Sequence, residues 1–302
     1  MHIKKILVGT DFSTNSMKAI KVADQWSKKY GAELVIIHAS EMMNDKSLPF
    51  PMNFKLESGS TYSDFLMQEL KKNLDAVTAN LITPSTHIKK IVEFNSPKSA
   101  ILDYIKKHGA DMLVLGAHGK NWLSDLLLGS VSHQLINFSP IPVLVVKNEN
   151  TAFANNLKVA IDLSPNAEKV INFISEWQKN HDSPTEICHI VEANPESYFG
   201  PSGVDSFTEY KNIQELLLEE KKFADQKLLQ LTSKLDKNKS KLKVEMTHGF
   251  NPADHILKIL EPKNTDLLVM ASNKKGLVGS VILGSVAEKL VLKSPANCLI
   301  LR

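Results

Sequence analysis

Short, unbroken apolar runs alternate along this chain with longer stretches in which apolar residues recur every three or four positions. The first run is Ile6 to Thr10. Runs of this kind suit parallel strands buried on both faces. Asp11 to Thr14 then supplies residue types that favour helix N-caps. Met17, Ile20, Val22, Ala23 and Trp26 give one apolar helix face, which ends near Gly31. Leu34 to Ile37, closing on His38, reads as a second strand. A loop containing proline and methionine follows, from Glu41 to about Ser60. Leu66, Leu70, Leu74, Val77 and Leu81 then mark another helix face, and Ile88 to Phe94 a third strand. Pro97 fits the first turn of a helix bearing Ile101, Leu102 and Ile105. Met112 to Leu115 is the fourth strand. The next helix runs from Ser130 and carries Val131, Leu135 and Ile136. Val143 to Val146 is the fifth strand, and Pro140 and Pro142 just ahead of it suggest an edge position.

Alternating strands and helices are most economically connected as right-handed parallel βαβ units. The expected fold is therefore an α/β, open, doubly wound domain with a five-stranded parallel sheet flanked by helices. Ligands of such sheets bind outside the carboxyl ends of the strands, where the strand order reverses. Asp11 at the end of strand one and Gly116 at the end of strand four would both lie there.

After a polar, patternless stretch the sequence begins again. Lys158 to Asp162 repeats Leu7 to Asp11, and Ser164 matches Ser13. His38 lies 27 residues after Asp11, and His189 lies 27 after Asp162. From residue 94 to 147 the two halves align without a gap at an offset of 155. Pro97, Ile101, Asp111, Gly129, Ser130, Leu135 and Pro140 are among the residues that recur. An internal repeat of this quality predicts two tandem domains, residues 1–147 and 157–302, joined by a linker at 148–156. The second copy has a longer helical stretch, from about Phe207 to Leu235, with Ile213, Leu217, Ala224, Leu228, Leu231 and Leu235 on one face.

Composition changes this picture little. The chain has 302 residues, of which 43% are hydrophobic and 23% charged, as in ordinary globular proteins. A net charge of +3 is too small to point to nucleic acid or a membrane surface. The lysine-rich stretch 235–243 reads as a solvated helix end and loop. Cys188 and Cys298 stand singly in predicted strands and form no metal or redox pattern. No apolar run approaches the roughly 20 residues that span a membrane, and the N-terminal apolar stretch is too short for a signal peptide. A cytoplasmic location is the default expectation.

The chemistry concentrates in one segment, Leu115 to Ser132. A strand ends, Gly116 and Gly119 follow, and Gly129-Ser130 opens a helix. Glycine lets backbone approach a phosphate closely, and a helix start offers N–H groups and partial positive charge. Neither GxxxxGK[ST] nor a GxGxxG after the first strand is present. The spacing Gly116-x2-Gly119-x9-Gly129-Ser130, with Gly9 to Ser13 and the strand-end His38, resembles the universal stress protein family across essentially the whole chain, as two tandem domains.

The resemblance implies an adenine-nucleotide site, with ATP or AMP as ligand, alone or with Mg2+. It implies that Asp11, flanked by Thr10 and Ser13, accepts hydrogen bonds from the ribose or adenosine, and that backbone near Ala39 reads the adenine edge. Leu115, Gly116, His118 and Gly119 would line the ribose and phosphates. Gly129, Ser130, Val131 and Ser132 would hold phosphate at the helix start. It also implies pairing of the domains through their fifth strands, with a homodimer as a further possibility.

Several of these residues have purely structural readings. Ser130 and Asp11 could be helix caps, and the glycines could shape a turn. His38 and His189 read as satisfied strand-end residues. His118 and His133 lack a carboxylate or cysteine at ligand spacing, so no metal site is expected.

The second half keeps Asp162, His189, Gly284 and Ser285 but has Ile190 for Ala39, Ala271 for Gly116 and Lys274 for Gly119; Asp162, Ile190, Lys274, Gly284 and Ser285 would form a possible weaker second site. The first half is therefore the expected nucleotide site, and the second a weakened, altered or empty one. Because strand and helix persist in the second half, the fold would not require the two glycines. The functional expectation is a nucleotide-binding stress-response or regulatory protein. A slow ATP-hydrolysing enzyme and a ligand-free interaction scaffold are the alternatives; no base–nucleophile constellation stands out.

Overall fold

The computed structural model describes residues 2–41, 48–117, 128–149, 155–193, 207–248, 251–260, 265–272, 274–275 and 281–302. The chain divides into two compact units, one ending at Ala152 and the other beginning at Phe153.

The first unit runs β1 (Lys5–Thr10), α1 (Thr14–Tyr30), β2 (Glu33–Ala39), α2 (Tyr62–Thr78), β3 (Ile88–Glu93), α3 (Pro97–His108), β4 (Met112–Gly116), α4 (Ser130–Phe138) and β5 (Val143–Val146). Its strands lie in the order β3-β2-β1-β4-β5, and every pair is parallel. Strand order reverses between β1 and β4, as the alternating pattern requires. The central strands are buried on both faces: Ile6, Leu7, Val8, Leu34 to Ile37 and Met112 to Val114 have almost no exposed surface. Ile20, Ala23 and Trp26 of α1 and Leu74 of α2 pack into this core. Each such side chain contributes roughly 1.5–3 kcal/mol on burial.

The second unit repeats the plan: β6 (Leu157–Ala160), α5 (Ala167–Asn180), β7 (Thr185–Ala193), α6 (Phe207–Leu231), β8 (Ser240–His248), α7 (Pro252–Leu260), β9 (Leu267–Ala271), α8 (Ser285–Lys293) and β12 (Asn297–Leu301). The parallel order is β8-β7-β6-β9-β12. One addition has no counterpart in the expected pattern. Between β9 and α8, β10 (Lys274–Lys275) pairs antiparallel with β11 (Val281–Ile282).

Element ends follow local chemistry. The hydroxyls of Ser13, Thr61 and Ser96 cap α1, α2 and α3 by accepting N–H groups of Ser16, Asp64 and Ser99. Gly31 closes α1 with φ 63°, a left-handed value that favours glycine. Three expectations need correction here. Helix α2 stops at Thr78, so Leu81 lies outside it; both oxygens of the buried Asp24 carboxylate accept the N–H groups of Ile82 and Thr83, which holds the chain in another direction. Helix α6 stops at Leu231, although Leu235 is still buried beyond it. The lysine-rich stretch is only partly loop. From Ser240 it is strand β8, Lys239 donates to the Gln178 carbonyl at the end of α5, and Lys243 pairs with Glu245.

One polar device recurs in both units. The Oδ2 atom of Asp111, just before β4, accepts the N–H groups of Lys4 and Lys5 at 2.7 and 2.8 Å. Asp266, just before β9, does the same for Asn155 and Asn156 at 2.8 and 3.0 Å. Each carboxylate ties the start of one central strand to its neighbour. Replacing Asp111 with Ala leaves two strand-end donors without this acceptor and is expected to cost about 1–3 kcal/mol. Urea unfolding should show a lower midpoint with unchanged slope; an unchanged midpoint would contradict this role.

Candidate functional site

The carboxyl ends of β1 and β4 each lead through a connection to a helix, α1 after β1 and α4 after β4. After β1 the chain reverses in three residues, and Phe12 takes φ 61°. A left-handed conformation costs a non-glycine residue about 1–2 kcal/mol. The turn is held by its own side chains. Thr10 Oγ1 accepts the Phe12 N–H and lies 3.1 Å from Ser16 Oγ. Asp11 Oδ1 accepts the Ser13 N–H at 3.0 Å. The Phe12 ring lies 4.5 Å, centroid to centroid, from that of His38, whose Nδ1 donates to the Thr10 carbonyl at 2.8 Å. Thus Thr10 and Ser13 serve the turn and the helix cap, and His38 is the satisfied strand-end residue its position suggested. Ala39 ends β2 beside this turn, and the next N–H, of Ser40, donates to the Glu93 carbonyl.

The second connection leaves β4 and re-enters at α4. Leu115 is buried and Gly116 ends the strand. A Cβ at 116 would lie 2.7 Å from the backbone carbonyl carbon and oxygen of Asn15 and 3.0 Å from the Ser16 nitrogen, in the first turn of α1. The expectation that the fold does not need this glycine is therefore wrong. The second half tolerates Ala271 alongside a later helix start. There α5 begins at Ala167, two positions further along the repeat than Thr14 of α1. Sequence alignment could not register that shift.

At the far end of this connection, Gly129 is the N-cap of α4, and its N–H donates to the Ala117 carbonyl at 2.9 Å. Ser130 is thus the first helical residue rather than the cap, and it is exposed. Val131 is half-buried. The Ser132 hydroxyl donates to the Gly116 carbonyl at 2.8 Å, which ties the helix start to the strand end. His118 and Gly119 lie outside the described residues.

The second unit repeats the β1 turn closely. Leu163, the counterpart of Phe12, has φ 56°, and Asp162 Oδ1 accepts the Ser164 N–H. His189 Nδ1 donates to the Ile161 carbonyl at 2.8 Å, since a carbonyl can only accept. Burial holds the His189 pKa below the usual histidine value, against the opposing pull of that carbonyl and of Asp162. Asp162, His189, Ile190, Gly284 and Ser285 line one cavity of about 330 Å³. Lys274 lies in β10, opposite Ile282.

Several wall residues were not marked by the sequence, among them two on one helix. Pro252 and Ile256 of α7 line this cavity. Their repeat counterparts are Pro97 and Ile101, and Ile101 Cδ1 lies 3.0 Å from a Cβ built on Gly9. The signal was present in their recurrence, but apolar recurrence alone does not separate a site wall from core. Among the described residues, no group of three or more His, Cys, Asp or Glu side chains could hold a metal ion, and no helix is long and apolar enough to cross a membrane.

Replacing Gly116 with Ala is expected to destabilise the first unit by about 1–3 kcal/mol, the usual cost of forcing atoms into a packed region. The reverse change in the second unit, Ala271→Gly, is expected to cost less, about 0.5–1 kcal/mol, the usual penalty of glycine in a strand. Unfolding midpoints of the two variants test this; equal effects would contradict it.

The model of the universal stress protein family matches residues 2–147 and again residues 155–302. Universal stress protein A homolog 2 of Coxiella burnetii is 30% identical over 147 residues, which is 48% of this chain and 96% of that protein. The crystal structure of a universal stress protein from Archaeoglobus fulgidus aligns over 100% of this chain and 99% of its own, with a TM-score of 0.61 and 19% identity. A universal stress protein solved in complex with cAMP covers 48% of this chain, and 98% of its own length aligns, with 26% identity and a TM-score of 0.34. The chain belongs to the universal stress protein family, with one family domain in each half.

Proposed function

We propose that the first domain holds an adenine nucleotide, ATP or AMP, at the carboxyl ends of β1 and β4, and that the protein acts as a nucleotide-binding stress-response or regulatory protein. The observation that carries this reading is the contrast among helix starts. In α1, α2 and α3 a side-chain hydroxyl accepts a first-turn N–H, whereas α4 starts on Gly129, which has no side chain to do so. A helix start without a side-chain cap presents N–H groups and partial positive charge, the arrangement that suits phosphate.

In this reading Ser130, Val131 and Ser132 supply backbone N–H groups, Gly129 leaves them accessible by having no side chain, and the exposed Ser130 hydroxyl adds a donor. Asp11 accepts from ribose hydroxyls. Its carboxylate has about four acceptor positions, so the bond to Ser13 does not exhaust it. Ala39 borders the base, and Leu115, Gly116, His118 and Gly119 complete the lining. Any Mg2+ would neutralise phosphate charge and be held chiefly by the phosphates. The resemblance to the family motif supports adenine as the base.

Gly129 has φ −60° and ψ 145°, which any residue can adopt. Gly129→Asp therefore supplies a good N-cap while placing a carboxylate where phosphate would sit. Thermal melting should be unchanged or higher without ligand, while the affinity for ATP falls by at least about tenfold, or roughly 1.4 kcal/mol. Equal stabilisation of both proteins by ATP would contradict the assignment.

We further propose that β5 and β12, each the last strand of its own unit, pair with one another, with residues 148–156 as linker. What supports this is their composition: Val143 to Val146 and Leu299 to Leu301 are wholly apolar, and such a strand edge left open invites aggregation. After limited proteolysis within 148–156, the two halves should elute together in gel filtration. Separate elution would contradict the pairing.

A further inference from the structure

Away from the strand-end clefts, two exposed apolar features carry opposite charge. The first is a groove of about 470 Å³ in the first unit, lined by Leu102, Ile105, Lys106, Phe138, Pro140 and Ile141. Phe138, the last residue of α4, is 46% exposed. Lys98 Nζ lies 3.8 Å from the centre of its ring, and Lys106 and Lys107 stand in the last turn of α3. The two helices that frame the groove, α3 and α4, carry three lysines and one carboxylate, that of Asp103. The groove is therefore apolar in its body and basic at its rim.

The second feature is a ridge on α6 of the second unit. Leu217, Ala224 and Leu228 form the buried stripe of this helix. Beside it, Leu216, Glu219, Glu220 and Phe223 fall at positions i, i+3, i+4 and i+7, so they share one face. Leu216 is exposed, and Phe223 is 66% exposed. Two carboxylates thus sit between apolar side chains about 10 Å apart along the helix axis. On the groove side, Lys98 and Lys106 are about 12 Å apart along α3. Apolar anchors two turns apart are what an amphipathic helix offers to a groove.

Each feature occurs in one half of the chain. At the offset of 155, Lys98, Lys106, Phe138 and Ile141 become Ala253, Glu261, Lys293 and Ala296, so the second half loses the aromatic and reverses one rim charge. Helices α2 and α6 are matched by Thr78 and Thr232, whose hydroxyls donate to the carbonyls of Leu74 and Leu228. On that match Leu216 and Phe223 correspond to Tyr62 and Glu69, which make no such pair. Being largely exposed, Phe138 and Phe223 add little to either core, and apolar surface rimmed by polar groups marks interaction sites.

We infer that the groove between α3 and α4 receives the Leu216–Phe223 face of α6 from a second copy of this chain, with Glu219 and Glu220 meeting Lys98 and Lys106. Phe223 entering beside Phe138 removes apolar surface from water, and the opposite charges set the register and are screened by salt. Glu219 also pairs with Lys222 of its own helix at 2.6 Å, an exposed pair of the kind that contributes little and is readily exchanged. Groove and ridge differ, so the contact is head-to-tail; the angle between copies decides whether it closes in pairs or rings or continues into longer assemblies. Nucleotide binding in either half plays no part in this contact.

Sedimentation velocity of the full chain, from micromolar to near-millimolar concentration, tests it. The chain should associate reversibly, and more weakly at high salt. Phe138→Ala and Phe223→Ser, both at exposed positions, should each weaken association at least tenfold while circular dichroism stays unchanged. Lys106→Glu and Glu220→Lys should each weaken it at least threefold, and the chain carrying both should regain most of the loss.

A chain that stays monomeric throughout this range would overturn the inference. So would association that neither Phe138→Ala nor Phe223→Ser weakens, which is how pairing through the fifth strands or another surface is recognised. Weakening by Phe138→Ala but not by Phe223→Ser would give the groove a different occupant and overturn it likewise, as would charge reversals that do not restore one another.

Discussion

The geometry of the first domain depends on how closely α1 sits against the end of β4. Position 116 has no room for a Cβ, because the carbonyl of Asn15 would be 2.7 Å away. That approach brings the turn after β1 and the first turn of α1 against the end of β4. The same region is tightened by Ser132, which reaches from α4 to the Gly116 carbonyl, and by Thr10 and Ser13, which fix the first turn of α1. A strained residue, Phe12, completes the turn and packs on His38. Non-glycine residues in such conformations persist where their surroundings determine them, and they concentrate at functional sites. The recurrence of this conformation at Leu163 shows that it belongs to the fold as built twice, whatever each half binds.

Much of this was legible in the sequence, for identifiable reasons. The parallel strands are apolar throughout, so Ile6 to Val8 and Met112 to Val114 announce themselves. Ser13, Gly31 and Pro97 sit where their chemistry places helix ends. What stayed hidden depends on atoms distant in sequence. Leu81 continued a helical period, but Asp24, far away along the chain, takes the backbone N–H groups that follow α2. Gly116 looked ligand-driven because its repeat partner is alanine. The reason lies instead in where the facing helix starts, which an alignment of matching residues does not contain. Asp111 and Asp266 recurred visibly, yet nothing in their spacing said that each clamps two backbone N–H groups of a neighbouring strand start.

The two halves therefore separate architecture from chemistry. What they share includes the strand order, the left-handed turn residue, the carboxylate clamp and the glycine at the start of the last helix. What differs is the sequence between the fourth strand and that helix, where Ala271 and Lys274 stand for Gly116 and Gly119. In the second half the described part of this segment includes a short antiparallel pair, β10 with β11. Duplication of a domain keeps the positions that hold the sheet together and leaves the connecting segment free to change, since a loop at the strand ends carries little of the core.

In the proposed function the glycine-capped start of α4 receives the phosphates of an adenine nucleotide. Amide hydrogen exchange measured with and without saturating ATP tests it most directly, because it reads the N–H groups themselves. Exchange should slow at Ser130, Val131 and Ser132 and stay unchanged at the capped starts of α2 and α3. Nucleotide binding that leaves those three amides unaffected would contradict it.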